Sequence, residues 1–136
     1  MPDTTVTFFD STFEEALALT REARDYLTHA EPRERERMTP NDRMLASCEA
    51  MRLTSRLTQV MAWLLVQRAV HAGEMTREEA RAPQYRLGGQ SVCGEAEPPV
   101  EGSLQPRLAE LLEHSLRLYQ RVARLDALQD LPQRVQ

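Results

Sequence analysis

Three histidines, His29, His71 and His114, and two cysteines, Cys48 and Cys93, are the residues here that could hold a metal or act as nucleophiles. Their spacing argues against it. No two of the histidines stand three or four apart, as helix-borne ligand pairs do, and the cysteines form no CxxC. Adjacent carboxylates at Glu14–Glu15 and Glu78–Glu79 could serve acid–base chemistry, but each pair follows a Ser or Thr at capping distance, which accounts for it. The turn "GGQSVCG", Gly88 to Gly94, matches neither GxGxxG nor GxxxxGKS. The residues therefore imply no catalytic group, no metal and no cofactor.

The chemistry of recognition is better represented. On a helical wheel Arg52, Arg56, Gln59, Trp63 and Gln67 fall within a sector of about 80°. Leu53, Leu57, Met61, Leu64 and Leu65 cluster to one side of it. Ser55, Thr58, Ala62 and Ala69 form a small-residue flank where a further helix could approach. The spacing predicts that the apolar cluster packs on the protein's own core and that the polar stripe, centred on Trp63, faces outward. Trp and Arg dominate interface hot spots, so the stripe reads as a partner-binding surface.

A long helix must carry that stripe. Thr39 suits an N-cap, Pro40 the first helical position and Asp42 the negative first turn. No breaker follows until Gly73, so the second helix spans 40–72, roughly 50 Å at 1.5 Å per residue. A first helix is expected over about 11–30, opened by a capping box at Ser11/Glu14 or Thr12/Glu15. Its apolar face runs through Phe13, Leu17, Thr20, Arg24 and Leu27, with Ala16, Ala23 and Ala30 beside them, and Pro32 kinks or ends it. The run "EPRERER" after it reads as a solvated connection. Thr76 with Glu79 opens a short helical turn. Residues 82–103 are rich in Gly and Pro and are expected to form a flexible loop. A third helix, about 104–129, carries Leu104, Leu108, Leu111, Ser115, Leu118, Val122 and Leu125 in a heptad seam, widened by Leu112, Tyr119 and Leu128. Cys48 reads as a core residue.

These elements imply an all-α fold, an antiparallel three-helix bundle with a long central helix, in one domain covering 1–136. The second helix is apolar or small over more of its circumference than one bundle covers, which points to a homodimer. The chain holds 17 Arg, no Lys and no Ile, and its net charge is −4. That balance argues against nucleic acid as a partner. The longest apolar run, Val60–Val66, is too short to insert across a membrane, which takes about 20 residues. The N-terminus has neither the basic nor the apolar region of a signal peptide, so the cytoplasm is the expected compartment.

The segment "CEAMRLTSRLTQVMAWLLVQRAVHAGEMTREEA", Cys48 to Ala80, followed by "YRL" at Tyr85–Leu87, resembles the RcdA family of bacterial regulators of CtrA degradation, the DUF1465 group. "FEEALALTREARDYL" near the N-terminus is similar in kind. The resemblance implies a dimeric, non-enzymatic adaptor. Such a protein assists the ClpXP protease by bridging it to cargo or to further adaptors, in the cytoplasm and at the cell pole. Its partners are then protease-associated proteins and proteolytic substrates. The motif positions, with Tyr85 and Arg86 added to the stripe, are the candidate contact residues. The longer polar C-terminal tail of better-known members is mostly missing before Gln136, so tail-borne contacts are not carried over. Two other readings stand beside this one: a structural self-associating bundle, and a small thiol-dependent enzyme using Cys48 or Cys93.

Overall fold

A computed structural model describes residues 4–93 and 104–131. Its elements are α1 (Thr4–Asp25), a π-helical turn (Tyr26–Ala30), α2 (Glu31–Arg35), α3 (Pro40–His71), α4 (Arg77–Ala80), a 3-10 turn (Pro83–Tyr85), α5 (Gln90–Cys93) and α6 (Pro106–Leu128). All of the regular structure among the described residues is helical.

The first helix corrects two expectations. It starts at Thr4, well before the supposed box at Ser11, and Thr12 is buried with its hydroxyl donating back to the Phe8 carbonyl at 3.0 Å. Its core face is Thr12, Ala16, Leu19, Ala23 and Tyr26, stepping 4, 3, 4, 3. Phe13, Leu17, Thr20 and Leu27 form the half-buried flank of that face, and Arg24 is exposed. The small side chains of Ala16 and Ala23 let neighbouring helices approach closely, so they take the centre. Nor does Pro32 end the helix. Proline lacks an N–H and its ring crowds the carbonyl four residues back. The chain answers with a wide turn just before it, where the Glu31 N–H reaches the Tyr26 carbonyl. The helix then resumes through Arg35. Within the supposed solvated run, Glu31 is buried and accepts from Arg35 at 2.6 Å, and Arg35 also donates to Ser47 on α3 at 2.8 Å.

α3 has 32 residues, about 48 Å of helix. Thr39 caps it, its hydroxyl accepting from the Asp42 N–H at 3.2 Å. Gly73, at φ 78°, turns the chain out of it. The Thr76 hydroxyl likewise accepts from the Glu79 N–H at 3.0 Å and opens α4.

Contacts between helices fix their directions. Phe9 near the start of α1 meets Trp63 and His71 late in α3, with ring centroids 5.8 and 5.0 Å apart. α1 and α3 are therefore antiparallel. Arg56 reaches Leu112 and Ser115, while Trp63 reaches Asp126. The pairings ascend together, so α6 runs parallel to α3, and Arg107 at its start lies over the Tyr26 ring at the end of α1. The expected antiparallel bundle is thus corrected to an up-down-down arrangement. A parallel pair needs a connection that travels back along the helices, and residues 72–105 are long enough to do so.

The core forms along the meeting line of the three long helices. It includes Leu19, Tyr26, Leu53, Val60, Leu64, Leu108, Leu118 and Val122. Burying each large apolar side chain contributes on the order of 1.5–3 kcal/mol. Leu128, expected to widen the α6 seam, is exposed, and so is Cys48, expected in the core.

Candidate functional site

Arg56, Trp63 and Gln67 are buried, with 2, 2 and 8% of their surface exposed, and Arg52 and Gln59 are half-buried. The polar stripe therefore faces inward, against the reading of it as an outer face. Its partners come from parts of the chain that a wheel of α3 does not show. The return connection lies as a strap in the groove between α3 and α6, and both helices hold it by its main chain. The Arg56 guanidinium donates to the Cys93 carbonyl at 2.8 Å, to the Leu112 carbonyl at 3.1 Å and to the Ser115 hydroxyl at 3.3 Å. Gln59 Oε1 accepts from the Gly88 N–H at 3.1 Å. The Tyr119 hydroxyl donates to the Gly88 carbonyl at 2.6 Å. Leu87 and Cys93 are the buried apolar anchors of the strap.

At the upper end of the groove stands Asp126, 4% exposed. Its Oδ1 accepts from Trp63 Nε1 and from Arg86 Nε, both at 2.9 Å, and from the Leu87 N–H at 3.4 Å. Arg86 also donates to both oxygens of Asp130, at 2.9 and 3.0 Å. Hydrogen bonds donated to Asp130 and then to Asp126 hold the Arg86 guanidinium well above its ordinary pKa, and the same contact lowers that of Asp130. Tyr85 sits half-buried one residue before this clamp. Arg52 pairs with Glu49 at 3.4 Å.

Of the loop expected over 82–103, Pro83–Tyr85 forms a 3-10 turn and Gln90–Cys93 a short helix, with Leu87 and Cys93 buried, and residues 94–103 lie outside the described part. Sequence reasoning missed Asp126, Tyr119, Gly88 and Asp130. One signal was available. Asp126 stands four residues after Val122 on the buried face of the third helix, and a carboxylate there requires a donor.

This arrangement restrains groups and activates none. Burial pushes the Cys93 thiol up and the Arg56 guanidinium down, and burial also raises Tyr119 to about 12. An activated cysteine needs the opposite shift. Cys48 is exposed on α3, and both cysteines are free thiols. Among the described residues no group of three or more His, Cys, Asp or Glu could hold a metal ion, and no helix is long and apolar enough to cross a membrane.

Elsewhere, Glu15 of α1 accepts from Arg121 at 2.6 Å and lies 3.1 Å from His114 Nε2, tying α1 to α6. Burial raises this carboxyl, but hydrogen bonds from Arg121 and His114 outweigh it and hold it below the ordinary value.

The surface left open on α3 is the one opposite its buried Leu53, Val60 and Leu64. Met44, Met51 and Leu65 are 68, 70 and 52% exposed there, in line with the small-residue flank read from the sequence.

The described residues thus form an all-helical fold whose internal polar groups lock a strap and whose longest helix carries an exposed ridge. The chain belongs to the DUF1465 family, described as a protein of unknown function, whose family model matches residues 1–135. It is also similar to RcdA from Caulobacter crescentus CB15. The crystal structure of that protein superposes with a TM-score of 0.73 at 38% identity, over 92% of each chain. No curated protein sequence matches the chain.

Proposed function

We propose that this protein is a non-catalytic adaptor in regulated proteolysis. It acts as a homodimer in the cytoplasm and at the cell pole, and helps ClpXP degrade cell-cycle regulators such as CtrA by bridging the protease to cargo or to further adaptors. The likeness to RcdA, 38% identical over 92% of both chains, carries this reading. The build of the molecule supports it. Arg56, Gln59, Trp63 and Asp126 are committed to internal contacts, and apolar area is left exposed on a long helix rather than on a loop, which suits a binding surface.

The test is a reconstituted degradation assay with the cognate ClpXP, its accessory factors and labelled regulator. The expected result is faster cargo loss that saturates with added protein. Unchanged degradation of every cell-cycle regulator tried, together with no binding to protease or cargo, overturns the reading.

A further inference from the structure

The large hydrophobics exposed among the described residues fall into two groups. Met44, Met51 and Leu65 lie on α3. Phe8, Leu128 and Leu131 lie at the start of α1 and the end of α6, with 44, 56 and 58% of their surface exposed. The register of α1 against α6 brings this second group together. Glu15 of α1 accepts from Arg121 of α6 at 2.6 Å, and Arg107 lies over the Tyr26 ring, so the two helices are antiparallel. One heptad back along α1 from Glu15 is Phe8, and one heptad forward along α6 from Arg121 is Leu128. Seven residues return a helix to nearly the same face, about 10 Å further along. Phe8 and Leu128 therefore face each other across the α1–α6 groove, one level beyond the Glu15–Arg121 pair. Leu131 follows Leu128 by three residues, on the same side of α6. Phe8 is backed by packed rings: it meets Phe9 edge-on at 5.9 Å, and Phe9 packs on Trp63 at 5.8 Å.

The charge beside the patch identifies its occupant. On a wheel of α6, Arg117, Arg121, Arg124, Leu128 and Leu131 fall within about 80°. Arg121 is taken by Glu15. Arg117 reaches Glu113 only at 3.8 Å, with both side chains exposed. Arg124 is exposed one turn before Leu128 and forms no ion pair among the described residues. A cationic stripe thus runs into an apolar patch on a chain whose net charge is −4. Exposed guanidinium groups select carboxylates, and an exposed apolar patch selects apolar side chains.

We propose that this end of the α1–α6 groove docks an acidic amphipathic segment of a partner protein. Its apolar side chains sit on Phe8, Leu128 and Leu131, and its carboxylates meet Arg124 and Arg117. The inference rests on the adaptor reading above and adds to it a face and the chemistry of what binds there. Bridging two proteins takes two separate surfaces, and the exposed apolar area is divided between two.

The test uses the whole chain and overlapping synthetic peptides that tile the labelled regulator and the accessory factors of the degradation assay. Peptides that combine Leu or Phe with Asp or Glu are expected to bind, and fluorescence anisotropy gives their affinity. Leu128→Asp is expected to weaken that binding about tenfold or more, with unchanged helical circular dichroism because the side chain is exposed. Arg124→Glu is expected to weaken it about fivefold, and exchanging the peptide's acidic residues for Arg to restore it. Arg21→Glu, at an exposed cation of α1 outside the patch, is expected to bind as the parent does. Binding that ignores Leu128→Asp and Arg124→Glu, or the absence of any binding peptide, overturns the docking site and leaves the adaptor reading to the degradation assay. Binding that appears only after residues 132–136 are removed assigns the patch to the chain's own end. A smaller species on sedimentation of Leu128→Asp assigns it to a second copy. Either result overturns the proposal. Binding at the patch without any effect on degradation keeps the site and overturns the adaptor reading.

Discussion

The indole N–H of Trp63 donates to the carboxylate of Asp126 at 2.9 Å, joining α3 to α6 across 63 residues of chain. The same oxygen takes the Arg86 guanidinium, so one buried carboxylate ties together two parallel helices and the strap between them. The tryptophan that looks on a wheel like the centre of an outer interface is the donor that closes an inner one.

Trp63→Phe removes that donor and keeps most of the apolar volume. A hydrogen bond to a charged group is worth about 1.5–3 kcal/mol. The expected loss in melting temperature is therefore roughly 5–15 °C for a chain of this size, with the oligomeric state of the parent unchanged. Thermal melts paired with sedimentation check it. An unchanged melting temperature removes the Trp63–Asp126 bond from the stability of the fold.

Arg86→Ala leaves Asp126 buried with weaker neutralisation and frees Asp130. Because Arg86 is partly exposed, the cost should fall below that of breaking a fully buried pair, at about 1–3 kcal/mol. The larger effect should be local. Limited proteolysis, slow across Pro83–Cys93 in the parent, should become fast there while the long helices stay intact. Equal cutting rates in the two proteins speak against the clamp. Tyr119→Phe, which leaves the Gly88 carbonyl without its 2.6 Å donor, should raise the same cutting rate at a cost of about 1 kcal/mol.

Two glycines with nearly the same backbone angle should respond differently to alanine. Gly73 has φ 78° and open space where a Cβ would stand, whereas Gly89 has φ 73° and would place that Cβ 3.0 Å from the Cys93 sulfur. Gly73→Ala should cost only the left-handed penalty, about 1–2 kcal/mol. Gly89→Ala should cost more, because the strap must shift away from a buried thiol. Denaturant melts of the two variants compare them directly, and equal costs would indicate that Cys93 yields freely.

Acid should loosen the α1–α6 contact. The Glu15 carboxyl sits below its ordinary value in the folded protein because Arg121 and His114 favour its charged form. A depressed folded pKa stabilises above the unfolded value of about 4.3, and that contribution disappears as pH falls through the folded value. The stability difference between the parent and Glu15→Gln should be present at about pH 7 and shrink as pH falls below the unfolded value and through the folded one. Melts at falling pH read it, and a difference that does not shrink in acid points to packing rather than charge.

The chain's local chemistry determined where the later helices begin and end. Thr39 before Pro40, Gly73 after His71 and the Thr76–Glu79 pair act through bonds between near neighbours, so their effect is legible without a fold. The α6 seam was legible for the same reason, since Leu108, Leu111, Ser115, Leu118 and Val122 mark a buried face by spacing alone. Only tertiary structure decided which way each face turned. Ala16 and Ala23 displaced Phe13 and Leu17 from the centre of α1 because close helix approach favoured the smaller residues. Arg56, Trp63 and Gln59 look solvated on a wheel because their partners, the Cys93 carbonyl, Asp126 and the Gly88 N–H, lie between about 30 and 65 residues away and become adjacent only once the strap runs back down the groove. Burying a polar stripe is unfavourable until such partners arrive, and no local pattern in α3 records that they do. The direction of α6 depended on the same segment, because the connection between Ala72 and Gln105 is long enough to return the chain and set two helices parallel, and its Leu87 and Cys93 are buried beside both helices.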